Sequence, residues 1–265
     1  MTTEKTGLIT PTKIIFERSR PGRRGVFPPA KTTPCAANAI PSGMLRRSRL
    51  RLPEVSQPDV VRHFVNLSRK NFSVDTVFYP LGSCTMKHNP RINEVVASQQ
   101  EFCDLHPMLP DEYAQGMLEI CHETARALSV LTGFPGISLQ PAAGAHGELT
   151  SMLIMNAYFR NKGGDDRRII LIPDTAHGTN PASAHYAGFT PKTITSGADG
   201  NLDPESIKPH LGPGLAGIMI TNPNTLGLFE KRIIEVCRLV HDAGGLVYMD
   251  GANFNAIMGM VRPAD

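Results

Sequence analysis

The chain has 265 residues, of which 41% are hydrophobic and 19% charged, enough for one large domain or two small ones around a real core. No apolar run approaches the length of a membrane span, and residues 1–5 lack the apolar stretch of a secretory signal; this argues against a membrane protein and for a soluble, cytoplasmic one. The net charge of +3 hides an asymmetry: residues 1–51 hold 11 Lys+Arg against 2 Asp+Glu, and residues 52–265 hold 16 against 22.

Five scattered cysteines (Cys35, Cys84, Cys103, Cys121, Cys237), none two residues from another, encode neither a disulfide framework nor a zinc site, so reduced thiols are the expectation. Residues 1–58 are rich in Pro, Arg and Ser and show no periodicity. They read as a basic, extended arm that makes packing or partner contacts, since no interleaved aromatics or known module point to nucleic acid or membrane. Its most cationic turn, Arg18 to Gly25, could equally be solvated. Residues 59–265 read as the folded domain.

Order is expected from about Pro58, where Val60, Val61, Phe64, Val65 and Leu67 recur at helical spacing. The loop Thr76 to Lys87 follows. Two further helices are expected over residues 91–102 and 113–131, the second stopped by Gly133. A short apolar run, Ile137 to Leu139, then leads into Gln140-Pro141-Ala142-Ala143-Gly144-Ala145-His146-Gly147-Glu148 and a helix over residues 151–159, which reads as a strand-to-helix turn. From there strands and helices alternate. Apolar runs at residues 168–172, 215–221 and 246–249, with a weaker one at 192–195, are separated by helical patterns, one of them Ile233, Val236, Cys237, Leu239 and Val240. Continuous apolar strands alternating with helices imply a mostly parallel sheet with helices on both faces.

In such sheets ligands bind beyond the carboxyl ends of the strands, where this chain places Gly144 to Glu148, Asp174 to Asn180, Asn222 to Thr225 and Asp250 to Asn253. Small residues at Gly144 and Ala145, opening a helix, suit an anion held by free backbone N–H groups, and a phosphate is the obvious guest; the alternative is a turn kept small for packing. His146 adds a flat ring beside that seat. Asp250, directly after an apolar strand, is either a helix cap or a carboxylate aimed into the crevice, where it would keep the ring nitrogen of a pyridine cofactor protonated. Asp174 makes the same argument; Ala252, small enough for a ring to lie flat nearby, favours Asp250. His146, His177 and His185 match no zinc spacing, so no metal is expected. Cys84 lacks a spaced partner His and reads as a buried or partner-facing thiol rather than a nucleophile.

Four long motifs in order carry a resemblance: Tyr79-Pro80-Leu81-Gly82-Ser83-Cys84-Thr85-Met86-Lys87, the Gln140 to Glu148 stretch, Thr221-Asn222-Pro223-Asn224-Thr225-Leu226-Gly227-Leu228-Phe229-Glu230, and Asp250-Gly251-Ala252-Asn253. Together they resemble the glycine decarboxylase P-protein of the glycine cleavage system, and more narrowly the catalytic second subunit of its two-subunit bacterial form. The similarity runs over residues 12–265, interrupted near 27–51. It implies the large domain of a fold type I pyridoxal-phosphate enzyme, truncated at the C-terminus, with the cofactor phosphate on Gly144 and Ala145, the ring stacked on His146 and paired with Asp250, and Ala252, His177 and Asn222 nearby. The implied reaction is decarboxylation of glycine, with the aminomethyl group passing to the lipoyl arm of H-protein; the implied partners are H-protein and the companion subunit.

The resemblance also implies a Schiff-base lysine just beyond Asp265, and no lysine here matches it. The chain therefore reads as the N-terminal part of a catalytic subunit, inactive in isolation. Two alternatives stand beside this reading: another fold type I pyridoxal-phosphate enzyme, such as a transaminase or desulfurase, and a non-catalytic scaffold half. The 82–87 and 222–230 motifs separate the chain from the first of these.

Overall fold

The structure is a computed structural model that describes residues 13–27, 29–30, 40–73, 75 and 89–265. The Tyr79 to Lys87 motif with Cys84, and Cys35 in the arm, lie outside the described residues. The chain divides into two compact units, Met1–Pro80 and Leu81–Asp265.

In the first unit, helix α1 spans Gln57–Ser68. Ser56 caps it by accepting the Asp59 N–H, and Pro58 sits in the first turn, where a missing N–H costs nothing. The arm is tied back onto this start. Arg23 pairs with Asp59 at 2.8 Å, Gly22 donates its N–H to the Glu54 carboxylate at 2.6 Å, and Glu54 N–H reaches Ser19 Oγ at 2.8 Å. The Arg18 to Gly25 turn is therefore not simply solvated. Against the expectation of a core-facing stripe, Val61, Phe64, Val65 and Leu67 are exposed, and the buried residue of α1 is His63.

In the second unit, the helix expected over residues 91–102 is two short pieces, α2 (Arg91–Ala97) and α3 (Gln100–Cys103). The break has a local cause: the Ser98 hydroxyl bonds back to the Val95 carbonyl at 3.1 Å, and Gln99 is extended. Helix α4 spans Gln115–Thr132 and ends at Gly133, whose φ of 79° is left-handed and natural for glycine. The apolar run at 137–139 forms no strand. Pro135 and Pro141 bracket it, and the five residues between two prolines leave only a short stretch of N–H groups for a ladder. Helix α5 (Gly144–Asn161) follows, starting seven residues before the stretch read as helix.

Strands β1 (Ile169–Pro173), β2 (Thr190–Ile194), β3 (Leu215–Thr221) and β4 (Leu246–Asp250) form an all-parallel sheet in the order β2-β1-β3-β4. Helix α6 (Thr179–Tyr186) connects β1 to β2, the short α7 (Pro204–Ile207) lies between β2 and β3, and α8 (Ile233–Asp242) connects β3 to β4. Winding leftward from β1 and rightward from β3 puts right-handed crossovers on opposite faces. The core follows suit. Met152, Met155 and Phe159 of α5 and Ala184 of α6 pack with Ile170, Ile172 and Met219 on one face, while Ile207, Val236 and Val240 of α7 and α8 pack with Leu171, Ile218 and Ile220 on the other.

One irregularity interrupts the sheet. The β1–β3 register slips between Ile169, opposite Leu215, and Ile170, opposite Gly217. Beyond the slip Ile218 and Ala216, two residues apart, face opposite sides of the sheet. Gly217 lies so close to β4 that an added Cβ would stand 2.2 Å from the Leu246 carbonyl oxygen, a backbone atom. Gly217→Ala is therefore expected to destabilise the chain by about 3 kcal/mol, as overpacking against an unyielding neighbour does. A shift in the urea midpoint measures it, and an unchanged midpoint would show that β3 and β4 can separate at no cost.

Candidate active site

The winding of the sheet reverses between β1 and β3, and the crevice at that reversal is where ligands bind in open parallel sheets. Three strand ends and one helix supply its polar groups: His177 just past β1, Thr221 ending β3, Asp250 ending β4, and Glu148 from the start of α5.

Asp250 is at the centre. It is 4% exposed. Its Oδ2 receives the Thr221 hydroxyl at 3.2 Å and lies 2.9 Å from His177 Nε2, and its Oδ1 accepts the Ala252 N–H at 2.9 Å. The parallel register sets Thr221 opposite Asp250, so the first of these contacts follows from strand pairing. His177 is oriented at its other nitrogen, where Nδ1 accepts the Thr179 N–H at 3.2 Å. In the neutral ring the proton therefore sits on Nε2 and points toward Asp250.

Glu148 also faces Nε2, from 3.5 Å, and is as buried as Asp250. Its Oε2 has no hydrogen-bond partner. Loss of hydration on burial is the largest influence on Glu148 and holds its carboxyl above the usual carboxylate range; His177 opposes that shift and Asp250 adds to it. The Tyr248 phenol on β4 is likewise pushed well up, by burial first and then by Asp250 and Glu148. The crevice thus concentrates negative charge around one imidazole.

The small-residue turn opens helix α5, with its first backbone N–H groups uncapped by any side chain. Ala143, which precedes α5, offers no side-chain cap. A Cβ built on Gly144 or Gly147 would meet nothing within 4 Å, so the first turn is open to a ligand. Gly147 N–H is taken by the Ala143 carbonyl, which leaves the N–H groups of Gly144, Ala145 and His146 as the free donors of that turn. His146 is exposed beside them. Gly144 and Glu148 are one helical turn apart on the same face of α5, roughly 6 Å along the axis. The contact of Glu148 with His177 therefore brings this helix start and Asp250 into one crevice.

These residues fit a phosphorylated pyridine. An open helix start suits the phosphate, and a buried carboxylate held by fixed donors suits a protonated ring nitrogen. Glu148, His177 and Asp250 also place three donor atoms within 4.8 Å of one another, a set a divalent cation could use; a cation there would have to displace the Nε2 proton from its bond to Asp250.

The other expected residues fall in different places. Asn222 is buried, and its side-chain oxygen accepts the Glu230 N–H at 3.1 Å, which shapes the 222–230 loop. Glu230 in turn accepts the Leu202 N–H and the Asn224 amide, and the Thr225 hydroxyl donates to the Thr175 carbonyl. The two ends of that motif, Thr221 to Asn224 and Glu230, are buried and hydrogen-bonded together, while Leu226 to Phe229 between them are exposed. Asp174 is exposed and holds the Ser196 N–H and hydroxyl at 3.1 and 2.6 Å, away from the crevice. His185, in the last turn of α6, is outside the three-donor cluster. Cys103 and Cys121 are exposed free thiols and Cys237 is a half-buried one.

Sequence reasoning placed Glu148 in a candidate segment and Thr221 in a motif but gave neither a role. The signal for Glu148 was available: it stands four residues after Gly144 in a helix. A third polar side chain, Asn180 at the start of α6, is wholly buried with both amide atoms unpartnered, and its N–H bonds the His177 carbonyl.

The shifted Glu148 carboxyl has a consequence for stability. The folded chain holds that proton more tightly than the unfolded chain, whose value is near the ordinary 4.5. Stability is therefore lost as pH rises through that value and on to the folded one. Glu148→Gln removes this loss, so the variant is expected to gain stability relative to the parent between pH 4 and pH 7, read as diverging urea midpoints. Parallel midpoints across that range would contradict the assignment.

No protein-family model matches the chain. Curated relatives do. It is 51% identical over 255 residues to a probable glycine dehydrogenase (decarboxylating) subunit 2 of Desulforamulus reducens, covering 96% of this chain and 53% of that protein. The same-named protein of a Thermus thermophilus strain is 53% identical over 253 residues, covering 95% and 53%. That of Thermotoga maritima is 51% identical over 251 residues, covering 95% and 52%. Among solved structures, a glycine decarboxylase (P-protein) of the glycine cleavage system in inhibitor-bound form superposes with a TM-score of 0.62 at 22% identity, over 80% of this chain and 46% of that one. The fold is that of the fold type I pyridoxal-phosphate enzymes. The chain belongs to the family of glycine dehydrogenase (decarboxylating) subunit 2, and it spans about half the length of the curated relatives it matches.

Proposed function

We propose that the chain contributes the cofactor-binding part of a pyridoxal-phosphate-dependent glycine dehydrogenase (decarboxylating), working with a companion subunit and delivering an aminomethyl group to the lipoyl arm of H-protein. One observation supports the cofactor assignment above the others: Glu148 from α5 and Asp250 from β4 meet across a single imidazole, so an open helix start and a buried strand-end carboxylate serve one crevice.

In this reading the N–H groups of Gly144, Ala145 and His146 would hold the phosphate, and the His146 ring would cover one face of the pyridine. Asp250 would accept the pyridine N–H, and Ala252 leaves room beside it. His177 and Asn222 would flank the site. The cofactor, when bound, supplies an electron sink for the carbanion left as glycine loses carbon dioxide. Asp250 keeps the proton of the ring nitrogen in place because its two oxygens are already fixed by Thr221, His177 and Ala252. No lysine pairs with Glu148, His177 or Asp250 among the described residues; the covalent anchor is assigned to the part of the relatives' length that this chain does not span. The exposed apolar residues of α1, α2 and α4, such as Phe64, Ile92, Val95 and Val130, favour further protein contacts. The reduced thiols favour the cytoplasm.

Equilibrium dialysis of the purified chain against pyridoxal phosphate tests the cofactor assignment. The wild-type chain is expected to retain the cofactor, and Asp250→Ala to weaken retention by roughly 30-fold or more, the loss that follows removal of one partner from a buried, charged hydrogen bond. Gly144→Asp, which sets a carboxylate in the phosphate seat, is expected to weaken it as well. Equal retention by all three chains would overturn the reading.

A further inference from the structure

We propose that Glu148 is a positioning residue for the ring-nitrogen carboxylate: it acts on Asp250 through His177, holding the imidazole so that its Nε2–H stays aimed at Asp250. This rests on the reading of Asp250 as the partner of the cofactor's ring nitrogen.

The geometry is that of one donor between two acceptors. Nδ1 of His177 is committed as an acceptor to the Thr179 N–H, so the neutral ring has a single proton to offer, on Nε2. That proton faces Asp250 Oδ2 at 2.9 Å and Glu148 Oε1 at 3.5 Å. The shorter distance assigns the hydrogen bond to Asp250. Glu148 stands as the second acceptor on the same side.

The imidazole needs such a second hold. His177 lies in the segment between β1 and α6, not within either, and its side chain is 30% exposed. Two hydrogen bonds, one from a backbone N–H and one to Asp250, fix its nitrogens, and turning the ring over would put carbon where each nitrogen stands and break both. A carboxylate beside Nε2 adds a further hold on the same orientation, because it favours the nitrogen that bears the proton and disfavours a bare lone pair at the same position. Glu148 is suited to this. It comes from an 18-residue helix rather than a loop, and it is 4% exposed. Its carboxyl is also held by the Ser183 hydroxyl of α6, which helps fix the side chain beside the imidazole, while Oε2 has no hydrogen-bond partner. The raised affinity of Glu148 for its proton agrees with a group placed at a cost for its position.

The consequence reaches Asp250. Of the three donors that fix its oxygens, Thr221 and Ala252 belong to the sheet and the chain following it, whereas His177 is the one that could turn away. Securing the imidazole therefore secures the orientation of the carboxylate that meets the ring nitrogen.

The test uses the 15N-labelled chain, first without cofactor. Ring-nitrogen NMR spectra resolve the tautomer of each histidine, and loss of one signal pair in His177→Gln identifies His177 among the nine. The wild-type ring is expected as the Nε2–H tautomer. Glu148→Gln, which keeps an acceptor at the same place, is expected to preserve it. Glu148→Leu, which has none, is expected to shift the signals toward the tautomer average and to lower affinity for pyridoxal phosphate about tenfold, the loss typical of one hydrogen-bond partner of a charged group. A wild-type ring protonated on Nδ1, or a Glu148→Leu chain whose His177 signals match the wild type, overturns the proposal. If Glu148→Leu loses its native amide dispersion, Glu148→Ala replaces it, and the wild-type tautomer remains decisive on its own. The cofactor assignment fails separately: equal retention of pyridoxal phosphate by wild type and Asp250→Ala removes that reading, while the cofactor-free imidazole spectra still decide the role of Glu148.

Discussion

The structure turns on a conflict of charge: two buried carboxylates, Glu148 and Asp250, approach the same nitrogen of one imidazole. A carboxylate removed from water needs donors to compensate its lost hydration. Asp250 has three. Glu148 has the Ser183 hydroxyl and a share in the His177 proton, and one of its oxygens has none. A fold does not hold such an arrangement for stability, since an apolar side chain of the same volume would remove the cost. The asymmetry is what gives the two acids different duties. The well-supplied one can face a positively charged ring nitrogen, and the poorly supplied one can only act on its neighbour.

The sheet makes that meeting possible. Parallel strands expose all their carboxyl ends on one edge, and the reversal of winding between β1 and β3 opens the crevice into which those ends project. Thr221 and Asp250 are register partners, so closing the β3–β4 ladder sets the first donor of the site. The same ladder requires the close approach at Gly217, where no side chain fits. On either side of the register slip beside Gly217, the alternation of β3 supplies apolar residues to both faces. Packing and function thus share a strand: the residues that fill the core at 215–220 are the ones that deliver Thr221 to Asp250.

Much of this was legible in the sequence. Strands β1, β3 and β4 announced themselves as continuous apolar runs because strands covered on both faces need apolar side chains at every position, whereas the edge strand β2, Thr-Pro-Lys-Thr-Ile and mostly exposed, gave only a weak run. Rules for where ligands sit then pointed to segments whose Glu148, His177 and Asp250 the structure brings together. What could not be read was of three kinds. Ile137 to Leu139 has strand composition, but its bracketing prolines deny it a ladder, and composition weighs side chains rather than N–H groups. The stripe of α1 has helical spacing, yet periodicity says that a face is apolar and not that anything covers it. Glu148 went without a role in a motif read for its small residues, because the inward aim of a helix side chain depends on where the helix begins. That start lay seven residues before the stretch read as helix.

The choice between Asp174 and Asp250 shows why strand-end acids have to be separated by their surroundings. Both follow an apolar strand, and both can cap a local backbone. Asp174 spends one oxygen on the N–H and hydroxyl of Ser196, just past the edge strand β2, where solvent reaches it. Asp250 ends the opposite edge strand but is covered from the side, by His177 across the crevice and by Thr221 from β3. An exposed acid with a complete local partner set has little to gain from a ligand, because binding would trade one set of donors for another. A buried acid whose donors come from three separate parts of the chain is different. Those donors are fixed by the fold whether or not a ligand is present, so the carboxylate offers any incoming donor an orientation already settled.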